Sequence, residues 1–473
     1  MDRYARGVGS TTKLVPWLSA GTLFMESLDT TILTIAIPVI ATALGVAPLE
    51  MKSVLSYYTL SLALFIPISG WSAERFGTRR VLLAAIALFT VSALACGLAR
   101  GVTTLAACRL LQGAGGALMV PVARILLVRT FPRSKLVAIL SLVSIGAIVG
   151  PMVGPLTGAL IIEAFDWRMI FLVHVPIGAA GLYLVARYLP DVRVAAAPRL
   201  DMMGFVLFGT SLALLSYVLE GIDEHRFSPI GNALLIAVSI LLFAGYRRHA
   251  ARIRHPILRL ELLRIRSLRI TVVGMFCTRI AFGGLPFLIV LLYQVGFGYS
   301  PITSGLLTLP QPIAAVLCKM WIPKILARYG HRTTFVAVTL LAAAVIFAFA
   351  TVERSTPLWI PLALAACVGF CASLMATGLA TLAYADVAET DTNMVATIVS
   401  TLQQLSISFG VVTAALIATL SIGDRAHASN DAVVSGLHHG LLGLGIFTLI
   451  STLAFTRLDP TDGLAVSGYH GRR

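Results

Sequence analysis

Apolar residues in this chain come in long blocks parted by short polar breaks, and fourteen such blocks can be read along it. They lie near residues 15–43, 53–72, 81–99, 103–128, 137–162, 169–187, 203–220, 230–246, 268–292, 302–323, 333–351, 358–384, 395–420 and 436–456. A helix rises about 1.5 Å per residue, so about twenty apolar residues cross the roughly 30 Å hydrocarbon layer of a bilayer. The strands of a membrane barrel would be about ten residues long and would alternate polar with apolar positions. These blocks are too long and too uniformly apolar for that. The pattern predicts an all-α integral membrane protein. The first block contains Glu26 and Asp29 and runs past the length of a signal-peptide core, so it is read as a span and not as a cleaved leader.

Composition supports the same class. The chain is 58% hydrophobic and only 12% charged, with a mean hydropathy of +0.91. Soluble domains carry about 25% charged residues, and a surface of this size could not be covered by so few. The net charge of +15 would suggest nucleic acid if the protein were soluble. The placement of the cations removes that reading. With the N-terminus inside, 26 of the 36 Lys and Arg fall in inside segments, eight of them between Arg247 and Arg269. Only Lys52, Arg100, Arg168, Arg226, Arg354 and Arg425 fall outside, while Arg109, Arg124, Arg279 and Lys319 lie within blocks. Inside loops are enriched in Lys and Arg, so both termini are expected in the cytoplasm, and no nucleic-acid partner is expected.

Chemistry other than transport finds little support. The six cysteines all sit in apolar blocks without metal-ligand spacing, and Cys367 and Cys371, four apart, read as small-residue packing. No HExxH, GxSxG or Walker-type loop occurs, and no loop reaches 40 residues, which leaves no room for a signalling domain. The chain is read as no enzyme, with no metal site.

An internal repeat sets the organisation. Arg75-Phe76-Gly77-Thr78-Arg79, after the second span, is echoed by Arg328-Tyr329-Gly330-His331-Arg332, after the tenth. Two six-helix blocks, about 15–187 and 268–456, are thereby marked off from two extra spans between them. The expected division is residues 1–188, a linker with two extra helices over 189–267, and residues 268–473. Two parallel six-helix halves with a site near the midplane form a common transporter plan.

Several stretches carry more specific patterns. Span 1 reads Met25-Glu26-Ser27-Leu28-Asp29-Thr30-Thr31-Ile32-Leu33, and the loop after span 2 reads Gly70-Trp71-Ser72-Ala73-Glu74-Arg75-Phe76-Gly77-Thr78-Arg79-Arg80. Span 4 holds Arg109-Leu110-Leu111-Gln112-Gly113-Ala114-Gly115-Gly116. Span 5 holds glycines 146, 150, 154 and 158 with Pro151 and Pro155. Trp167-Arg168-Met169-Ile170-Phe171, Gln294 to Pro301 and Gln403 to Gly410 complete the set. Together these resemble the major facilitator superfamily, and within it the fourteen-helix drug:proton antiporters, closest to a bacterial multidrug exporter branch. Ser72, Glu74, Glu26 and His174 depart from the family's usual Leu, Asp, Gln and Asn.

From the residues alone, Glu26 and Asp29 lie three apart on nearly one helix face, where two carboxylates in a low dielectric do not comfortably both ionise. The glycine stripe of span 5 suits close helix contact, and its prolines remove helix hydrogen bonds. Arg279 falls near the middle of span 9 and needs a partner or water. Asp29, Glu26 or an anionic substrate is expected to approach it. His174 reads as a packed, hydrogen-bonded residue. Arg124 and Lys319, near span ends, can reach the interface.

The resemblance implies the rest: a major facilitator fold in a bacterial inner membrane, and proton coupling through Asp29, Glu26 and Arg109. It also implies a gating loop built on Gly70, Glu74, Arg75, Gly77, Arg79 and Arg80, and an exporter motif formed by Gly146, Gly150, Pro151, Gly154, Pro155 and Gly158. The substrate cavity is placed at Arg279, Gln112 and Gln403. Asp386, Glu389 and Asp391, in an inside loop without cations, are expected to attract the Arg75–Arg80 loop when the cytoplasmic side closes. The implied function is proton-driven export of small amphiphilic compounds by a monomer, with no cofactor beyond the proton gradient. A narrow exporter of one metabolite or organic anion is the alternative.

Overall fold

The computed structural model describes residues 2–131, 133–189, 199–222, 226–423, 429–459 and 462–463. Arg193, Arg425, Arg472 and Arg473, counted above for topology, lie outside these. Among the described residues fourteen helices are long and apolar enough to cross a membrane, from span 1 at Leu14–Leu44 to span 14 at Asn430–Phe455. They coincide with the fourteen apolar blocks. The main difference is at span 10, which ends at Cys318. A new helix opens at Ile322 and runs to Phe349 through a kink at Gly330, whose φ is 71°. The basic residues expected in a loop there, Lys324 and Arg328, therefore sit on helix.

Span boundaries follow from local chemistry. Span 8 (Pro229–Ala250) and span 10 (Pro301–Cys318) each start with proline, whose missing N–H costs nothing at a helix start. Before them Ser228 and Ser300 cap the helix, their Oγ atoms accepting from Gly231 N at 3.1 Å and Thr303 N at 3.2 Å. Gly77 parts span 2 (Pro48–Phe76) from span 3 (Thr78–Gly97) with a φ of 91°, a conformation that side chains resist. Gly77 and Gly330 take positive φ at matching places in the two repeats.

The chain forms two compact units, Met1–Val46 with Tyr57–Met202, and Ala47–Ser56 with Met203–Arg473. The extra helices, span 7 (Met202–Gly221) and span 8, thus group with the C-terminal bundle. Inside that second unit the early part of span 2 is tied to span 7 and to Ser408. Ser56 Oγ donates to Glu220 Oε1, and Ser408 Oγ donates to the Ser56 carbonyl at 3.0 Å. Glu220 has no exposed surface. A hydroxyl bonded to a buried carboxylate contributes about 1.5–3 kcal/mol, so Ser56→Ala should lower the thermal midpoint of the purified protein measurably. The same change in a Glu220→Gln background should cost about half as much or less. Equal losses in both backgrounds would mean the Ser56–Glu220 bond carries no stability.

Candidate functional site

The first unit buries an ion pair between its helices. Asp29 sits midway along span 1 and Arg109 in the first half of span 4 (Val102–Leu127). Arg109 Nη1 donates to Asp29 Oδ2 at 2.5 Å and to Gln112 Oε1 at 2.9 Å. Gln112 Nε2 closes the triangle on Asp29 Oδ1 at 2.9 Å. Arg109 and Gln112 lie three apart and so share a helix face, which lets one carboxylate engage both. The guanidinium also lies over the Tyr58 ring, 4.0 Å from its centroid. All of these side chains are buried: Asp29 is 1% exposed, and Arg109, Gln112 and Tyr58 are 0% exposed. Removing one partner of such a pair strands a charge at a cost of about 3–5 kcal/mol.

His174, on span 6 (Met169–Tyr188), completes the surroundings. Its Nδ1 donates to the Ile170 carbonyl at 3.1 Å, which directs Nε2 toward Asp29 Oδ1, 3.9 Å away. The expected packing and hydrogen bond are present, and the approach to Asp29 is an addition. Glu26 is half-buried one turn away, and Arg124 and Asp29 are the charges acting on it. Gln112 differs from expectation. Expected to line the substrate cavity, it has no exposed surface here and belongs to the ion-pair network.

The glycine stripe of span 5 (Leu142–Ala164) lies against the helix that carries Asp29. A Cβ at Gly146 would strike the Ala20 carbonyl oxygen, one at Gly150 would strike Ser27, and one at Gly154 would strike Thr31. At Gly158 it would come within 2.8 Å of the Ile32 oxygen. Ser27 Oγ and Thr31 Oγ1 donate across the same seam to the Gly146 and Gly150 carbonyls, at 3.3 and 3.4 Å. Pro151 and Pro155, on the same helix, are partly exposed.

In the loop after span 2, Arg79 donates to the Ala186 carbonyl at the end of span 6. Arg75 and Arg80 are exposed and Glu74 is half-buried, while a Cβ at Gly70 would meet open space. Asp386 and Glu389 are exposed. Asp391 pairs with Arg259 of the arginine-rich linker at 2.9 Å, a partner the sequence did not suggest. Lys319 and Arg124 are exposed, as their places near span ends require.

The second unit repeats the close packing of the first. Span 9 (Arg266–Gly296) meets span 13 (Glu389–Ile422) at glycines: a Cβ at Gly283 would come within 2.7 Å of Ile407 Cα, and one at Gly284 within 2.5 Å of the Gly410 oxygen. Arg279 and Gln403 are both partly exposed on these two helices. Phe276 and Phe409 pack edge to face across them, 6.3 Å between centroids. Among the described residues no cluster of three His, Cys, Asp or Glu could hold a metal ion.

A fourteen-helix chain with a repeated six-helix plan and an ion pair sealed inside its first bundle has the architecture of a helical membrane transporter. Comparison with known proteins makes the class definite. The profile of the Major Facilitator Superfamily matches residues 20–411, and the chain belongs to that family. It is 32% identical to the "Probable transport protein HsrA" of Haemophilus influenzae over 448 residues, covering 94% of this chain and 96% of that one. It is equally 32% identical to the "Putative multidrug resistance protein MdtD" of Serratia proteamaculans over 450 residues, covering 94% and 93%. In fold it is similar to the POT family transporter PepTSo, with a TM-score of 0.65 at 13% identity over 94% of this chain and 99% of that one. A point mutant of the nucleoside transporter NupG gives a TM-score of 0.64 at 13% identity, covering 94% and 98%.

Proposed function

We propose that this transporter is a proton-driven exporter of small amphiphilic compounds, working by alternating access as a monomer in a bacterial inner membrane with both termini in the cytoplasm. The observation that carries the reading is the buried Asp29–Arg109–Gln112 triangle. Asp29 is the proton carrier. Ionised, it is held by Arg109 and Gln112; protonated, it releases the guanidinium, and the strong attraction within the first bundle is lost. A carboxylate whose two protonation states differ this much in what they bind can couple proton movement to a change of packing. Arg109 is the partner that makes the two states unlike, and His174 Nε2 stands near enough to pass or share the proton after a small movement. Glu26, with Arg124 acting on it, is a second carboxylate on the same helix. The glycine seam with span 5 fixes the helix that carries both. The names of the MdtD relatives support multidrug export, and the apolar linings of such cavities suit amphiphilic ligands.

The test is transport in proteoliposomes with an imposed pH gradient and a panel of lipophilic cations, anions and neutral compounds. Uptake into inside-out vesicles should follow the gradient and collapse on addition of an uncoupler. Transport of the same size with the gradient dissipated would overturn proton coupling.

A further inference from the structure

Among the described residues, the second unit holds an arginine that no acidic group neutralises. Arg279 lies midway along span 9, where a charged group is expensive and faces a partner or a water-filled cavity. The other deep arginine, Arg109, spends its charge on Asp29. Arg279 takes part in no ion pair or hydrogen bond among the described residues, and no charged group acts on it. The acidic residues of span 1 are already committed within the first unit, Asp29 to Arg109 and Glu26 to the field of Arg124.

The helix contacts show which face carries Arg279. On span 9, Phe276, Arg279 and Gly283 are partly exposed at spacings of three and four, forming one face. On span 13, Ser400, Gln403 and Ile407 do the same. These faces meet where Gly283 abuts the Ile407 backbone. Spans 9 and 13 are an even number of crossings apart, so they run in the same direction. Arg279 and Gln403 each stand four residues, about one turn, before the meeting point. With Gly410 against the turn from Ile280 to Gly284, they lie within about one turn of each other, on faces that are neither packed shut nor fully open. A guanidinium fork beside an amide donor, with an aromatic ring one turn away, is the donor set for a planar organic anion. At this depth a lipid headgroup cannot supply it.

We propose that Arg279, assisted by Gln403, binds a carboxylate on the transported compound, so that the preferred substrates are amphiphilic organic anions. This rests on the exporter reading for the direction of movement, though not for binding itself.

The experiment is equilibrium binding to the full-length protein in zwitterionic nanodiscs, without any gradient, by titration calorimetry. The probes are two matched sets: 2-naphthoate, 2-naphthamide and 2-naphthylmethylammonium, then biphenyl-4-carboxylate with its amide and its aminomethyl counterpart. In each set the carboxylate should bind at least about tenfold more tightly than the amide. Arg279→Gln should erase that preference, Arg279→Lys should keep part of it, and Gln403→Ala should weaken the carboxylate several-fold. Should Arg279→Gln fail to fold, the Lys variant and Gln403→Ala carry the comparison. Equal binding across a set, preference for the ammonium member, no binding of either carboxylate, or a carboxylate preference intact in folded Arg279→Gln would each overturn the proposal. Because no proton gradient enters the measurement, its failure leaves proton coupling standing, and the loss of proton coupling leaves this result readable.

Discussion

If the proposed proton coupling holds, gradient-driven export should fall to the protein-free background when Asp29 is replaced by asparagine, while binding of substrate to the purified variant should persist. Asparagine keeps the shape of the side chain and can still accept from Arg109, but it cannot ionise or carry a proton. The buried guanidinium is then left without its counter-charge, a loss of about 3–5 kcal/mol in fully desolvated pairs. The thermal midpoint should therefore fall as well. Asp29→Glu separates the two effects: it retains the charge, displaces it by one carbon-carbon bond, and should recover part of the gradient-driven flux. The measurement is flux into reconstituted vesicles at matched protein content, with a size-exclusion profile to establish folding. A monodisperse Asp29→Asn protein with undiminished gradient-driven flux would remove Asp29 from the proton path.

The second large effect is on packing. In Gly146→Val, the new Cβ lands on the Ala20 carbonyl oxygen, and a backbone atom in a helix cannot turn aside as a side chain can. Spans 1 and 5 must part, and the Ser27–Gly146 hydrogen bond across the seam goes with them. Overpacking of this kind costs about 1–3 kcal/mol, occasionally more, so the thermal midpoint should drop by a few degrees. Gly21→Val is the control. A Cβ at Gly21 meets nothing within 4 Å, so this change on span 1 should be tolerated apart from its helix propensity. Equal stability of the two variants would mean that the seam is not what joins these helices.

How much of this could be read from residues alone differs by feature. The fourteen spans were legible because hydropathy over twenty residues is a property of the chain and needs no knowledge of its neighbours. The repeat was legible in the like sequence around Gly77 and Gly330, and both take a φ that only glycine takes cheaply. The glycine stripe announced a close contact, though not with which helix. Pairings were the hidden part. Sequence places Asp29, Arg109 and Arg279 at middling depth, but three helices of unknown rotation admit several pairings. The structure selects Asp29 with Arg109 and draws Gln112 in with them. Glu220 was passed over because it falls at the very end of an apolar block, where a carboxylate is ordinary; its hydrogen bond comes from Ser56, more than 160 positions earlier. The Arg259–Asp391 pair was missed for the same reason. Each residue had a sufficient explanation nearby, in topology or in solvation, so neither asked for a distant one.

The seam between spans 1 and 5 has a mechanical meaning. Four glycines set span 5 closely against span 1, with two cross-helix hydrogen bonds along the seam. Such a pair behaves as one stiff strut. In the proposed proton cycle, the helix that carries Asp29 would not be free to swing; it is braced from behind. Strain released at Asp29 would then be delivered forward, to Arg109 and Gln112 on span 4 and to His174 on span 6, which touch the carboxylate from the unbraced side. A rigid mount makes a small chemical event directional.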